Sequence, residues 1–333
     1  MAAARWWPDA IRSHLLDNLT GLIEVQGLTK FYDERPAIQD VSFSVPRGQI
    51  LGFLGPNGAG KSTTMRILTG YIGASSGTAT VDGFDVFRQS LDVRRRIGYL
   101  PETTPLYNEM RVDGFLQLMC KLRGVPPSKR RARVDDAVES CGLEERRGEV
   151  IGRLSRGLRQ RVGLAQAIVH EPDALILDEP TAGLDPAQTR ETRDLIKKLG
   201  RRHTVILSSH ILPEVEATCE RVLIINEGRI VADGTPGMLA QRLGGRRHEV
   251  EMVVRGEASG VEEAVRGVAG IDEVTVTAEG DSAVRVIVTT AVMDLREKLS
   301  RTIILGGFGL LEVQERTLTL EDVFLQLTST EDS

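Results

Sequence analysis

The chain has 333 residues, of which 41% are hydrophobic and 27% charged, and its formal net charge at pH 7 is −5. This balance is typical of a globular protein with enough residues for two domains. A net negative charge gives no broad attraction to nucleic acid. The cysteines Cys120, Cys141 and Cys219 are widely spaced, which argues against a disulfide framework or a zinc site and is typical of a reducing compartment. No apolar run reaches the roughly 18 residues that a transmembrane helix needs.

Residues 1–21 form a separate stretch ahead of the first regular pattern. They carry Trp6 and Trp7 and a short amphipathic segment at residues 11–19. The stretch lacks the apolar centre of a secretory signal. Paired tryptophans also occur in helices that lie on a membrane surface, but the apolar face is short here. We therefore expect a poorly ordered N-terminal extension over residues 1–21.

Alternating and apolar segments predict strands from residue 22 onward. Residues 22–25 and 41–45 alternate as half-buried strands, with a turn at residues 33–36 between them. Residues 50–54 are a short apolar run that predicts a buried strand. A helical pattern begins at Thr64, so the residues between this strand and this helix connect the two.

This connection is a glycine-rich loop. It matches the phosphate-binding pattern G-x-x-x-x-G-K-[ST] and comprises Gly55, Pro56, Asn57, Gly58, Ala59, Gly60, Lys61, Ser62 and Thr63. Glycines let backbone N–H groups turn toward a polyphosphate, and the following helix directs the positive end of its dipole at the same anion. Lys61 would supply a charge to the β- and γ-phosphates, and Ser62 a hydroxyl to Mg²⁺. The chain is therefore expected to bind a nucleoside triphosphate.

Helical periodicity dominates from about residue 112 to residue 163. Four basic residues open the second helix of this region: Lys129, Arg130, Arg131 and Arg133. Acidic residues follow in the same helix and no aromatic residues interleave, so a solvated helix face is favoured over a nucleic-acid patch. Short apolar runs at residues 174–177, 204–207 and 221–225 then predict parallel strands that are buried on both faces.

A second, smaller domain is predicted after a linker near residue 246. Alternating valines and helical stretches follow one another in the order βαββαβ, which is the ferredoxin-like arrangement. A closing helix is predicted from Thr319, because Asp322 three residues later completes a capping pattern. No group of reactive side chains marks this domain, so packing, regulation or partner contact are its expected roles.

Two of the predicted strands end in residues suited to nucleotide chemistry. The run at residues 175–177 delivers Asp178 to the carboxyl end of its strand, where it would hold Mg²⁺ beside the phosphate loop. Glu179 follows, in a position to orient or deprotonate an attacking water. His210 follows the strand at residues 204–207 and could donate to a γ-phosphate, although a histidine alone is more often structural.

Ser155 and Gly157 precede another apolar helical pattern. A serine hydroxyl, open backbone N–H groups and the helix dipole together make a helix start an anion site. In isolation, an ordinary N-capped helix is the simpler interpretation of this pair.

These stretches in this order resemble the ATP-binding subunits of ABC transporters. The resemblance rests on the phosphate loop, Leu154-Ser155-x-Gly157, the run from Leu177 to Pro186, and His210, and it extends over residues 22–243. It implies an α/β fold: a P-loop NTPase (ABC ATPase) core with a helical subdomain at about residues 104–165. The ferredoxin-like α+β domain at residues 246–333 then follows. It also implies an ATPase that uses ATP and Mg²⁺.

The resemblance further implies roles for individual residues. Glu179, His210 and Lys61 are the implied catalytic residues, and Ser62, Asp178 and Glu102 the implied Mg²⁺ ligands. Tyr32 matches the aromatic that stacks on adenine, and Asp185 the aspartate of the D-loop. The ATP-binding residues are then Tyr32, Gly55 to Thr63, Ser155, Gly157 and Asp185. In this family, Ser155 and Gly157 complete the ATP site of the opposite copy in a head-to-tail dimer.

Three residues depart from the usual family pattern. Glu102 stands where glutamine is usual, and a carboxylate cannot donate a hydrogen bond and adds negative charge near Mg²⁺. Arg156 and Leu158 replace the commoner glycine and glutamine of the signature. Because the serine hydroxyl and the glycine backbone remain, ATP sandwiching is still expected. These variants and the stretch at residues 320–324 resemble the ATPases of ABC-2-type exporters, a group that includes gliding-motility and antibiotic-resistance subunits.

The expected function is that of a homodimeric ATPase, peripheral to the cytoplasmic face of the membrane, that drives a separate integral membrane permease. The permease would dock around residues 102–108 and the helices that follow them, and no nucleic-acid partner is expected. One alternative is a soluble ABC ATPase that acts on the ribosome or DNA, although such proteins usually carry two cassettes or a long coiled-coil insertion. Another is a small-molecule P-loop kinase, which would need an acceptor pocket and would need neither Ser155 nor dimerisation.

Overall fold

The computed structural model describes residues 21–243, 248–280, 282–290, 292, 295–316 and 324. The chain divides into two compact units, Met1–Gly234 and Thr235–Ser333. This division falls ahead of residue 243, where the sequence pattern ended the first domain. Residues 1–20 of the predicted extension lie outside the described residues. So does the closing helix predicted from Thr319, apart from Phe324.

The first unit alternates strands and helices along the chain. Its elements are β1 (Ile23–Tyr32), β2 (Arg35–Val45), β3 (Ile50–Leu54), α1 (Lys61–Leu68), β4 (Ser76–Val81), β5 (Phe84–Asp85), α2 (Ser90–Arg96), β6 (Ile97–Leu100), α3 (Val112–Leu122), α4 (Pro127–Ser140), α5 (Arg156–Ile168), β7 (Ala174–Asp178), α6 (Pro186–Gly200), β8 (Thr204–Ser209), α7 (Leu212–Thr218), β9 (Arg221–Asn226) and β10 (Arg229–Gly234). Two short 3-10 turns lie between α4 and α5. None of the helices among the described residues is both long and apolar enough to span a bilayer.

A six-stranded sheet organises this unit, with the order β10-β9-β3-β8-β7-β6. β10 is an antiparallel edge strand, and the other neighbouring strands pair in parallel. Every residue of β3, β7 and β8 is buried, as expected of short apolar strands covered on both faces. In the register, Leu54 pairs with Ser209 and Asp178 with Ser208. The carboxyl ends of β3, β7 and β8 therefore meet at one edge of the sheet.

A smaller antiparallel sheet has the order β2-β1-β4-β5. β1 and β2 form a hairpin, and Asp33 takes a positive φ of 53° in its turn. The alternating pattern predicted only the first part of β1 and the last part of β2, because register shifts interrupt the period of two along the hairpin.

The second unit begins with α8 (Pro236–Leu243) and continues as β11 (His248–Arg255), α9 (Ala258–Arg266), β12 (Ile271–Glu279), β13 (Ala283–Thr290), α10 (Arg296–Leu305) and β14 (Gly309–Arg316). From β11 onward, the order is the predicted βαββαβ. Its antiparallel sheet has the order β12-β13-β11-β14, so β13 and β11 are the interior strands, and β11 pairs with the edge strand β14 on its other side. Alternate residues of β11 and β13, which are valines apart from Met252, are buried in one cluster with residues of α9 and α10, which gives this unit a core of its own.

Candidate active site

The phosphate loop connects the buried end of β3 to the first turn of α1. Gly58 and Gly60 adopt φ of +83° and +106°, which favour glycine. A Cβ on Gly60 would also lie 2.6 Å from Ile38 Cγ2 and 2.7 Å from the Ala37 carbonyl oxygen. No side chain caps the start of α1, so its first N–H groups are available to an anion. The loop therefore has the geometry of a phosphate cradle.

Lys61, the first residue of α1, is 5% exposed and its ammonium group lies inside the loop. It donates hydrogen bonds to the carbonyl oxygens of Gly55, at 2.7 Å, and Pro56, at 3.2 Å. Its Nζ is also 3.6 Å from Glu179 Oε1. The cation is thus held at the loop and faces the carboxylate that ends β7.

Asp178, the last residue of β7, accepts two hydroxyl groups on one carboxylate oxygen. Ser62 Oγ donates to Oδ1 at 3.2 Å, and Ser208 Oγ donates to the same atom at 2.5 Å. Carboxylate and hydroxyl oxygens are the ligands that Mg²⁺ prefers, and the Ser62 and Asp178 oxygens converge beside the phosphate loop. The pair fits a magnesium ion bound together with a phosphate.

Glu179 is buried, and its carboxylate lies between two potential cations. Its Oε1 faces Lys61, and its Oε2 is 2.9 Å from His210 Nδ1. The backbone N–H of Glu179 lies 3.1 Å from Ser208 Oγ and 3.2 Å from the Ser208 carbonyl oxygen. The His210 side chain is 45% exposed, so it reaches from the buried carboxylate toward solvent.

The structure brings together Lys61, Ser62, Asp178, Glu179 and His210. It adds two residues that the sequence analysis did not assign. Ser208 contacts both acidic residues, and the only sequence signal for it is its position at the end of β8. Tyr99 on β6 lies near Asp178; burial, and after it the Asp178 carboxylate, raise the pKa of Tyr99 to about 12.

Ser155 caps α5 by accepting a hydrogen bond from the Leu158 N–H at 3.3 Å. Gly157 packs against the side chain of Gln188. Asp185 caps α6 and accepts from two N–H groups, at 3.0 and 2.9 Å. The Ser155 hydroxyl therefore lies at the exposed start of α5, and the Asp185 carboxylate at the exposed start of α6.

Tyr32 and Glu102 are exposed, and Lys30 Nζ lies 5.3 Å from the centre of the Tyr32 ring. Among the described residues, no hydrogen bond or ion pair joins Tyr32, Glu102 or Ser155 to the group around Lys61 and Asp178. The structure therefore separates the predicted site residues into a connected group at the sheet edge and residues outside it, which include the exposed Tyr32, Glu102, Ser155 and Asp185.

Comparison with known proteins decides the family. A model of the family ABC transporter matches residues 38–182. The linearmycin resistance ATP-binding protein LnrL of Bacillus subtilis is 31% identical over 316 residues, which cover 92% of this chain and 98% of that protein. The chain belongs to the ABC transporter ATP-binding proteins. The daunorubicin resistance ATP-binding protein DrrA3 of Streptomyces coeruleorubidus is 34% identical over 310 residues, covering 92% of this chain and 95% of that protein.

A solved structure of this family has the same fold. The ATP-binding subunit of an ABC transporter superposes with a TM-score of 0.61 at 30% identity, over 67% of this chain and 93% of that one. The family, the P-loop NTPase fold and the ATPase activity predicted from the sequence are confirmed. The chain is an ATP-binding subunit that hydrolyses ATP.

Proposed function

We propose that two copies of this subunit enclose ATP between them and that hydrolysis then separates them. The observation that carries the proposal is the start of α5. Ser155 and the first turn of α5 form an exposed helix start suited to an anion, yet no described contact joins Ser155 to the phosphate loop of its own chain. Head-to-tail pairing would give this helix start a phosphate, namely that of the ATP held by the other copy.

Within one copy, the connected group supplies the chemistry. Lys61 would neutralise the β- and γ-phosphates, and Ser62 and Asp178 would hold Mg²⁺, which supplies charge compensation on the phosphate oxygens. Glu179 would orient or deprotonate the attacking water, and His210 would contact the γ-phosphate. The hydrogen bond between His210 and Glu179 supports a shared role, because it holds the two side chains together and both would then reach the same terminal phosphate.

The exposed residues would act at the edges of the nucleotide. Tyr32 presents a ring face on which adenine could stack. Glu102 follows β6 and would reach Mg²⁺ only with the nucleotide in place, so its role as a metal ligand stays a prediction. Gly157 and Asp185 would contribute from the faces that meet in the dimer.

We further propose that the subunit is peripheral to the cytoplasmic face of a membrane and drives a separate permease of the ABC-2 exporter type. Support comes from its relatives, since LnrL and DrrA3 are both resistance ATP-binding proteins. Residues 102–108 and α3 remain the proposed docking surface. Addition of proteoliposomes that contain the cognate permease should raise the ATPase rate. Addition of ribosomes or DNA should not, and the reverse result would favour the soluble alternative.

The dimer is tested with Glu179→Gln, which keeps the shape of the side chain but removes the carboxylate that would activate water. With ATP and Mg²⁺, this variant should elute as a dimer in size-exclusion chromatography with light scattering, and with ADP as a monomer. The matched control is Glu179→Gln combined with Ser155→Arg, which blocks the helix start and should stay monomeric. A Glu179→Gln variant that remains monomeric at saturating ATP contradicts the proposal.

A further inference from the structure

The loop between β7 and α6, residues 180–184, links two residues of the proposed site. Glu179 precedes it and Asp185 follows it. The loop is a compact turn: the Ala182 N–H donates to the Glu179 carbonyl oxygen at 3.1 Å, and the Leu184 N–H to that of Thr181 at 3.1 Å. Gly183 has a φ of +68° at its centre. A displacement of this loop would therefore move Glu179 and Asp185 together.

Two side chains of α5 hold the loop from one side. Arg156 Nη2 donates to the Ala182 carbonyl oxygen at 2.8 Å, and Gln160 Nε2 donates to that of Pro180 at 2.6 Å. The Arg156 guanidinium also lies against Gly183, where an added Cβ would be 2.2 Å from Nη2. Arg156 thus makes both a polar and a close steric contact with the turn.

The opposite side of the loop is attached to α7. Thr181 Oγ1 donates a hydrogen bond to the carboxylate of Glu214 in the first turn of α7, the helix that follows His210. Asp185 then caps α6. The loop consequently spans the space between the helix that carries Ser155 and the segment that carries His210.

We propose that Arg156 is a positioning residue that fastens residues 180–184 to the start of α5, and so sets Glu179 and Asp185 relative to Ser155. Arg156 is adjacent to Ser155, and its planar guanidinium can reach a carbonyl oxygen and cover a glycine at once. Glycine, the commoner residue at this position, would make neither contact. The inference rests on the proposed function, because Ser155 and Asp185 act at ATP only if two copies pair.

The first test measures the loop in the full-length chain without nucleotide, by hydrogen exchange at the amides of Ala182 and Leu184. In Arg156→Ala these amides should exchange roughly three- to tenfold faster, because the loop loses a charge-assisted hydrogen bond and its cover. Arg156→Lys should recover part of the protection. The matched control is Arg153→Ala, since the Arg153 side chain is exposed and makes no hydrogen bond or ion pair to described residues. In this variant the exchange rates of the loop amides should be unchanged.

The second test measures ATP turnover. Arg156→Ala should lower kcat roughly three- to tenfold while leaving KM for ATP within twofold, because the phosphate loop is untouched. In the Glu179→Gln background, Arg156→Ala should raise the ATP concentration needed for dimerisation by a similar factor. Arg156→Lys should restore part of both values.

Unchanged loop exchange in Arg156→Ala overturns the inference, and so does unchanged kcat with unchanged dimerisation. Should Arg156→Ala fail to fold, Arg156→Gln keeps one donor and is judged by the same two measurements. A Glu179→Gln variant that stays monomeric while the Arg156 variants loosen the loop overturns the proposed dimer and leaves the loop contact standing. The two failures are therefore distinguishable.

Discussion

At the scale of single residues, the site depends on how one buried carboxylate is held. Glu179 has a φ of +48°, and a left-handed backbone at a non-glycine residue costs on the order of 1 kcal/mol. The hydrogen bonds from its backbone N–H to Ser208 offset this cost, and its carboxylate contacts Lys61 and His210. Ser208 also donates to Asp178, so one hydroxyl orients both acidic residues. The sheet edge is therefore preorganised by a residue that carries no charge.

Ser208→Ala should lower kcat about tenfold, because it removes hydrogen bonds to a charged group and to the Glu179 backbone. It should also raise the Mg²⁺ concentration required for half-maximal activity. Steady-state ATPase assays across a Mg²⁺ titration measure both values. Ser209→Ala is the matched control: Ser209 is equally buried, but within the part of the chain that the structure describes its hydroxyl accepts only from the Ile211 N–H. Equal losses in the two variants would refute this role for Ser208.

At the scale of elements, β6 and α5 approach each other unusually closely. A Cβ on Gly98 of β6 would lie 2.1 Å from the Ala167 carbonyl oxygen and 2.7 Å from Leu175 Cδ2. Glycine at this point lets β6, an edge strand of the six-stranded sheet, pack against α5, which Ser155 caps. The position of the helix start thus depends partly on a residue with no side chain.

Gly98→Ala should reduce the free energy of unfolding by about 2 kcal/mol, because backbone atoms must move to admit the methyl group. Gly114→Ala is the control in α3, where the nearest atom to an added Cβ is Met110 Cε at 3.7 Å. That change should raise stability by about 0.5 to 1 kcal/mol through helix propensity. Urea titrations compare the two; a stabilising Gly98→Ala would contradict the close approach.

His170 follows α5 and couples this packing to pH. Burial, together with the nearby Arg123 charge, lowers its pKa from 6.5 to about 3. Its Nε2 donates to the Ile97 carbonyl oxygen at 3.1 Å, while Nδ1 is buried without a partner among the described residues. Protonation in the folded state would therefore bury an unpaired charge.

Because the unfolded chain binds a proton below pH 6.5 and the folded chain does not until about pH 3, stability should fall as the pH drops through this window. From pH 7 to pH 5, His170 should account for a loss of about 2 kcal/mol. His170→Gln keeps a donor but cannot be protonated, so its unfolding free energy should change less between these two pH values. Identical pH dependence in urea titrations of both proteins would refute the assignment.

At the scale of the whole molecule, each of the two units has a cluster of buried hydrophobic residues among the described residues, and the candidate site belongs to the first unit. The core of the second unit comprises buried residues of β11 to β13 and of α9 and α10, including Leu299. The connected site residues all lie between Lys61 and His210, within the first unit. ATP binding should therefore tolerate damage to the second core.

Leu299→Ala should destabilise the second unit by about 2 to 5 kcal/mol, because it leaves a cavity at a fully buried position. The affinity for a fluorescent ATP analogue should stay within twofold. Leu305→Ala is the control on the same helix: Leu305 is 79% exposed, so both stability and affinity should be nearly unchanged. Loss of nucleotide binding in Leu299→Ala alone would show that the site needs the second core.

Short-range patterns in the sequence determined the phosphate loop, the buried strands, the βαββαβ order and the family, because each depends on residues a few positions apart. The sequence also placed Asp178, Glu179 and His210 at strand ends. Only the tertiary structure decided that Ser208 holds both acidic residues, that Lys61 faces Glu179, and that Arg156 contacts Ala182. These contacts join residues distant in the chain, and the order β9-β3-β8-β7 that brings them together is set by global packing, which no local period encodes.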